Sequence, residues 1–235
     1  MSMTPEHHHR DITGGSARAA VFGVSDGLVS NAALILGVAG GASSVSVVRL
    51  AGLAGLIAGA CSMAVGEYLS VSAQVELAER ELRLERHELI HNTGKEKAEL
   101  VRLYESRGVK AETAEEVATA LMADTDQALA VHAREELGVD PDKLGSPIRA
   151  AVASFFSFVV GAVVPLLPWL AGKGATSPRV VLSMVLAAAG AVAVGWGLAR
   201  FTGRPPLRVA SRQLLLAAAS AAIAYGVGAL VGATV

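Results

Sequence analysis

Cysteine is nearly absent from this 235-residue chain: Cys61 stands alone. A single thiol excludes an intramolecular disulfide and any multi-cysteine zinc or iron–sulfur site. Set among small residues in an apolar run, it reads as packing. Charge is scarce too. Charged residues make up 17% of the chain against 52% hydrophobic ones, with a mean hydropathy of +0.49, which lies outside the range of a soluble domain. Lysine is the rarer cation, and fifteen Arg against five Lys with many Ala suggests a GC-rich bacterial genome and hence a plasma membrane. No nucleic-acid partner and no prosthetic group are expected.

What is present in quantity is apolar sequence in long runs. Five segments, roughly 19–41, 47–72, 148–170, 178–200 and 210–234, are each long enough to cross a hydrocarbon core of about 30 Å as a helix. The first is too long, and follows too polar a leader, for a cleaved signal peptide. Arg10 and Arg18 precede the first span, and Arg200, Arg204, Arg208 and Arg212 surround the link between the fourth and fifth, against Arg49, Lys173 and Arg179 on the opposite side. The positive-inside rule therefore places the N-terminus in the cytoplasm and Val235 outside. Trp169 and Trp196 fall near span ends, where interfacial aromatics belong.

Between the second and third spans the composition changes. Residues 73–145 carry 17 acids and 10 bases, while the other 162 residues hold 4 acids and 10 bases. The segment VELAERELRLERHELI, 75–90, lacks Gly and Pro and sets Leu77, Leu82, Leu84 and Leu89 on one side, so it predicts a helix continuing the second span. Asn92, Thr93 and Gly94 break it. A second helix is expected over about 95–106, ending at Gly108, and a third from Thr113 to Leu137, ended by Gly138 and Pro141. The expected architecture is an all-α membrane protein: a cytoplasmic leader 1–18, two transmembrane helices in 19–72, an acidic three-helix cytoplasmic bundle in 73–145, and three transmembrane helices in 146–235. Small residues such as Gly190, Gly195, Gly197, Gly226, Gly228 and Gly232 mark spans that pack closely. Pro165 and Pro168 are expected to interrupt the third span.

Some residues break the pattern. Asp26, in VFGVSDGLVSN, lies inside the first span, where a carboxylate costs about 2.5–3.5 kcal/mol on insertion scales, so such a group normally borders a polar cavity. The bland reading is a protonated acid bonded to a neighbouring helix. The second span repeats the anomaly in SMAVGEYLSVSAQVE, where Met63 and Glu67 are four apart and share a helix face. A path offering a soft thioether and a hard carboxylate suits Fe²⁺ or a similar borderline ion better than Mg²⁺ or Ca²⁺. A carboxylate that binds a cation gives up its proton to do so, which would make Asp26 and Glu67 exchange metal for protons, as in an antiporter.

The acidic segment offers Glu85 and Glu88, then Glu96 and Glu99, each pair three apart, and His132 and Glu136 four apart. If they converge, they form a carboxylate cage with one imidazole, suited to Fe²⁺ or Mn²⁺; acids so spaced are also common on any solvated helix. Glu88 and His91 form one E-x-x-H half-motif of a di-iron site, and no second copy exists in the segment. That absence argues against an oxidase, and so against an enzyme. The leader histidines 7–9 read equally as a tag remnant or a metal-gathering tract.

Together HRDITGG, DGLVSN, SMAVGEYLSVSAQ, the acidic insert and GAVVPLLP resemble the vacuolar iron transporter family, over nearly the whole chain. The resemblance implies five spans per protomer, a homodimer with the path at the subunit interface, and Fe²⁺ exported from the cytosol in exchange for protons. It implies Asp26 and Met63 as path residues and Glu85, Glu88, Glu96, Glu99 and Glu136 as cytoplasmic metal ligands. His132 and Ala133 stand where the family often has paired methionines, and Asp140 and Glu135 compete for the place of a last acid. Fe²⁺ is the expected substrate, with Mn²⁺, Zn²⁺ and Co²⁺ unranked behind it. The alternatives are a membrane-anchored ferroxidase or iron store, and a metal-sensing scaffold that moves no ion.

Overall fold

The computed structural model describes residues 15–41, 44–170 and 176–233. The leader histidines with Arg10, the side chain of Arg18, Lys173 and Val235 lie outside the described residues. Eight α-helices follow in order among those described: α1 (Gly15–Gly41), α2 (Val45–His91), α3 (Thr93–Ser106), α4 (Ala111–Leu121), α5 (Thr125–Glu135), α6 (Pro147–Leu170), α7 (Thr176–Thr202) and α8 (Pro206–Gly232). A 3₁₀ turn, Pro141–Lys143, precedes α6. Five of them, α1, α2, α6, α7 and α8, are long and apolar enough to cross a membrane, where only a helix or a closed barrel satisfies every backbone polar group internally.

The chain divides into two compact units, one made of residues up to Tyr68 together with those from Pro147 onward, the other of Leu69–Ser146. In the first unit α1 is central, packing on α6, α7 and α8. Glycine permits this. A Cβ on Gly161 would run into the Val24 carbonyl of α1, and one on Gly228 of α8 would run into Gly37 of α1, so these backbones touch directly. Ile35, Val48, Leu166 and Trp169 form one core cluster and Ala60, Phe158 and Ala162 another. Gly226 and Gly197, by contrast, meet nothing.

Three expectations fail here. Pro165 and Pro168 do not interrupt α6, which runs unbroken from Pro147 to Leu170. Towards its C-terminal end, side chains of neighbouring helices bond its carbonyls: Ser183 to Pro165 at 2.6 Å, Arg179 to Pro168 at 2.9 Å and Arg49 to Trp169 at 2.7 Å. The two arginines also neutralise the negative end of the helix dipole. Trp169 is not interfacial but fully buried, because its indole N–H reaches Ser183 Oγ at 2.7 Å and so enters the core satisfied. Cys61 is exposed on the protomer surface and not in its core, since the small residues of α2 that face inward, Gly52, Gly55, Gly59 and Ala60, lie on another side.

The second unit holds the end of α2 with α3, α4 and α5. Leu89 packs with Ala128 and Leu129, and α3 lies against α4. The helix expected from Thr113 to Leu137 is two helices, parted at Met122–Asp124. Asp124 adopts an extended backbone and its side chain accepts from the N–H groups of Asp126 and Gln127 at 2.9 and 2.8 Å, an N-cap that opens a new helix more favourably than it continues an old one. Gly138, at φ +65°, ends the second piece, with the Val139 N–H returning to the Ala133 carbonyl.

Candidate functional site

In the first unit Phe22, Asp26, Ser30 and Leu34 form an exposed stripe on α1, one residue per turn. Beside it α2 presents Gly55, Gly59, Ser62 and Met63, and these line, with Asp26, Ser30, Asn31, Leu34 and Phe158, a cavity of about 290 Å³. Glycine makes the room, since a Cβ on Gly59 would strike the Phe158 ring. Asp26 and Met63, 37 positions apart in the chain, thus share one cavity. Glu67, one turn past Met63, does not line it. Ser30 Oγ donates to the Asp26 carbonyl at 2.6 Å, and Asn31 Nδ2 donates to the Ala162 carbonyl at 2.7 Å. A carboxylate, a thioether, a hydroxyl and an amide around one space can strip and hold a borderline divalent ion. Ser30 and Asn31 carried no role in the sequence reading; their signal was position, four and five residues after Asp26.

In the second unit Glu85, His132 and Glu136 come together. His132 is fully buried, and its Nδ1 lies 3.1 Å from Glu85 Oε1 and 3.1 Å from Glu136 Oε1. One ligand atom from each of the three falls within 4.8 Å of the others. Burial holds the Glu85 carboxyl above the usual carboxylate range; His132 pulls it back, and the charges of Glu136, Glu96 and Glu99 push it up. Glu136 is raised for the same reasons, burial first, with His132 opposing and Glu99 and Glu96 adding. Glu96 is itself buried. Acids crowded in this way are poised for a cation that would relieve their repulsion.

The remaining acids have other partners. Glu88 accepts from Asn92 Nδ2 at 2.5 Å, and His91, its E-x-x-H partner, stacks on His87 with ring centroids 4.0 Å apart. Glu135 pairs with Arg107 at 2.5 Å. Asp140 caps the 3₁₀ turn and meets Arg134 at 3.0 Å, and the Arg134 hydrogen bond holds its carboxyl below the usual range.

Comparison with known proteins gives this geometry a context. Residues 17–229 match the family model described as VIT family. The chain belongs to that family. A vacuolar iron transporter of Acanthamoeba castellanii is 40% identical over 225 residues, covering 93% of this chain and 79% of the relative. Vacuolar iron transporter 1 of Oryza sativa is 32% identical over 223 residues, covering 94% and 88%, and that of Arabidopsis thaliana 30% identical over 225 residues, covering 95% and 90%. The VIT-family match takes in all five long apolar helices, and the chain is a multi-pass membrane protein.

Proposed function

We propose that this VIT-family protein is a proton-coupled transporter that exports Fe²⁺, and Mn²⁺ beside it, from the cytosol. The cavity between α1 and α2 is its ion path, with Asp26 and Met63 as path ligands and Glu67 at its mouth. The acidic unit lies in the cytoplasm and collects metal on Glu85, His132 and Glu136, with Glu88, Glu96 and Glu99 as surrounding acids and Glu135 and Asp140 in supporting ion pairs. The N-terminus is cytoplasmic and the C-terminus outside, in a bacterial plasma membrane.

One observation carries the reading: a carboxylate and a thioether from two different apolar helices line the same cavity. An anchor has no use for such a pair, and the cost of a carboxylate at bilayer depth, about 2.5–3.5 kcal/mol, needs an offset. The names of the relatives, iron transporters, point the same way. A homodimer follows from the same physics. Asp26 and Ser30 lie exposed on the protomer, so a lone copy would turn them to lipid, and a second copy seated on the α1–α2 face would close the cavity into a hydrated route.

The test is uptake of Fe²⁺ into proteoliposomes under a pH gradient. Asp26→Ala and Met63→Ala are expected to lower flux at least about 10²-fold (roughly 2.7 kcal/mol) while the acidic unit still binds metal. Unchanged uptake by both variants would remove the path assignment.

A further inference from the structure

Asn31 is 2% exposed, and its two polar atoms are in different circumstances. Nδ2 donates to the Ala162 carbonyl at 2.7 Å. A carbonyl oxygen only accepts, so this bond selects one of the two amide orientations and turns Oδ1 the other way. Oδ1 is shut off from solvent and accepts no hydrogen bond among the described residues. Native structures rarely leave a buried oxygen in that state without a use. The residue lines the cavity of Asp26, Ser30 and Met63, and at 1.5 Å per residue it stands about 7.5 Å further along α1 than Asp26. Across the gap α2 offers a glycine. A Cβ on Gly55 would strike the end of the Leu34 side chain and sit 3.0 Å from Asn31 Oδ1, so what stands beside the oxygen there is the flexible tip of Leu34, which an ion reaching Oδ1 displaces.

We infer that Asn31 Oδ1 is a cation ligand, forming a second station in the α1–α2 cavity where a partly dehydrated divalent metal ion takes the amide oxygen in place of a water. The inference rests on the transport reading above and adds a selectivity device to it. An amide oxygen is a hard, uncharged donor. It replaces hydration without the grip of a full charge, which lets an ion enter and leave. Its hardness favours Mn²⁺ and Fe²⁺, whereas the Met63 thioether favours softer ions such as Zn²⁺. Removing Asn31 therefore leaves a softer path.

The same residue ties α1 to α6, and a purely structural asparagine would on removal lower the flux of every ion alike. The ratio between ions separates the two roles. Mn²⁺ and Zn²⁺ uptake is measured side by side in liposomes holding the full-length protein. Asn31→Leu is expected to lower the Mn²⁺ to Zn²⁺ flux ratio about tenfold. Asn31→Asp, which loses the donor to Ala162 and adds a charge but keeps a hard oxygen at that place, holds the ratio well above that of Asn31→Leu while lowering the overall rate. Gly55→Ala, which presses Leu34 aside, crowds Oδ1 and leaves the Asn31 amide bond to Ala162 intact, moves the ratio in the same direction as Asn31→Leu, whereas Leu34→Ala alone leaves it unchanged. An unchanged ratio in Asn31→Leu, an equal fall for both ions, or an Asn31→Asp protein that behaves like Asn31→Leu overturns the inference. Should Asn31→Leu not be recovered as a monodisperse protein, Gly55→Ala decides, and an unchanged ratio there overturns it. An original protein that carries no divalent ion sinks the transport reading and this station with it; one that carries ions with no shift in the variants sinks the station alone.

Discussion

Single residues set the chemistry of the acidic unit through their surroundings. Glu85 and Glu136 are raised by burial and by the acids around them, so the folded protein holds protons there that the unfolded chain would release. Their contribution to folding is present below the unfolded carboxylate range and is lost as pH rises through the raised folded values. On the proposed reading a metal ion replaces those protons and reverses the loss. Mn²⁺ is accordingly expected to raise the melting temperature more at pH 7.5 than at pH 5, with affinity falling on acidification, as calorimetry and fluorescence thermometry can follow. His132→Ala removes the imidazole at the centre of the cluster and is expected to weaken Mn²⁺ binding by roughly 10- to 100-fold; titration of the intact protein reads this directly. The spacing of Glu85, His132 and Glu136 was legible in the sequence as candidates on helix faces. That Glu135 would pair with Arg107 and Asp140 with Arg134 was not, because periodicity gives a residue's face and not its partner.

Helices, the next scale up, were legible where length and composition decide and obscure where one side chain does. The long apolar runs could only be spans, and α1, α2, α6, α7 and α8 lie within a few residues of where they were expected. The break between α4 and α5 turns on Asp124, whose capping bonds compete with an otherwise good helical stretch. The pattern Asp-Thr-Asp-Gln at 124–127 was the signal for it, an N-cap acid with Gln three residues on. Prolines misled in the other direction: α6 runs unbroken through Pro165 and Pro168, held on several sides by packing that a sequence pattern does not show. Helix contact is where the glycines act. Gly161→Leu forces a side chain into the backbone of α1 and is expected to cost about 1–3 kcal/mol or more, seen as a lower unfolding temperature in detergent; Gly226→Leu, which meets open space, is the control and should change little.

For the whole molecule, the protomer surface is the informative feature. α2 exposes Leu50, Leu53, Ile57, Val65 and Tyr68 while α1 exposes Phe22 and Leu34 around Asp26 and Ser30, and hydropathy cannot separate a face meant for lipid from one meant for another copy. In the proposed reading the carboxylate favours a second copy, and cross-linking tests it. With the native thiol removed by Cys61→Ser, a single cysteine placed at Ser30 is expected to cross-link the protein to a dimer in membranes under mild oxidation, and one placed at Ile223, exposed on α8, to give monomer. Monomer from both would argue that the α1–α2 face meets lipid.

Helix α6 holds a further consequence. Within eight residues its carbonyls receive Asn31 from α1, Arg49 from α2, and Ser183 and Arg179 from α7. Sliding or rolling this helix would break several of these bonds at once, at about 1.5–3 kcal/mol for each charged donor. It is a moored post. A displacement of the helices it ties must either carry α6 along or give up these bonds, and pairs of spin labels joining α6 to α1 should keep a constant separation whether or not metal is present.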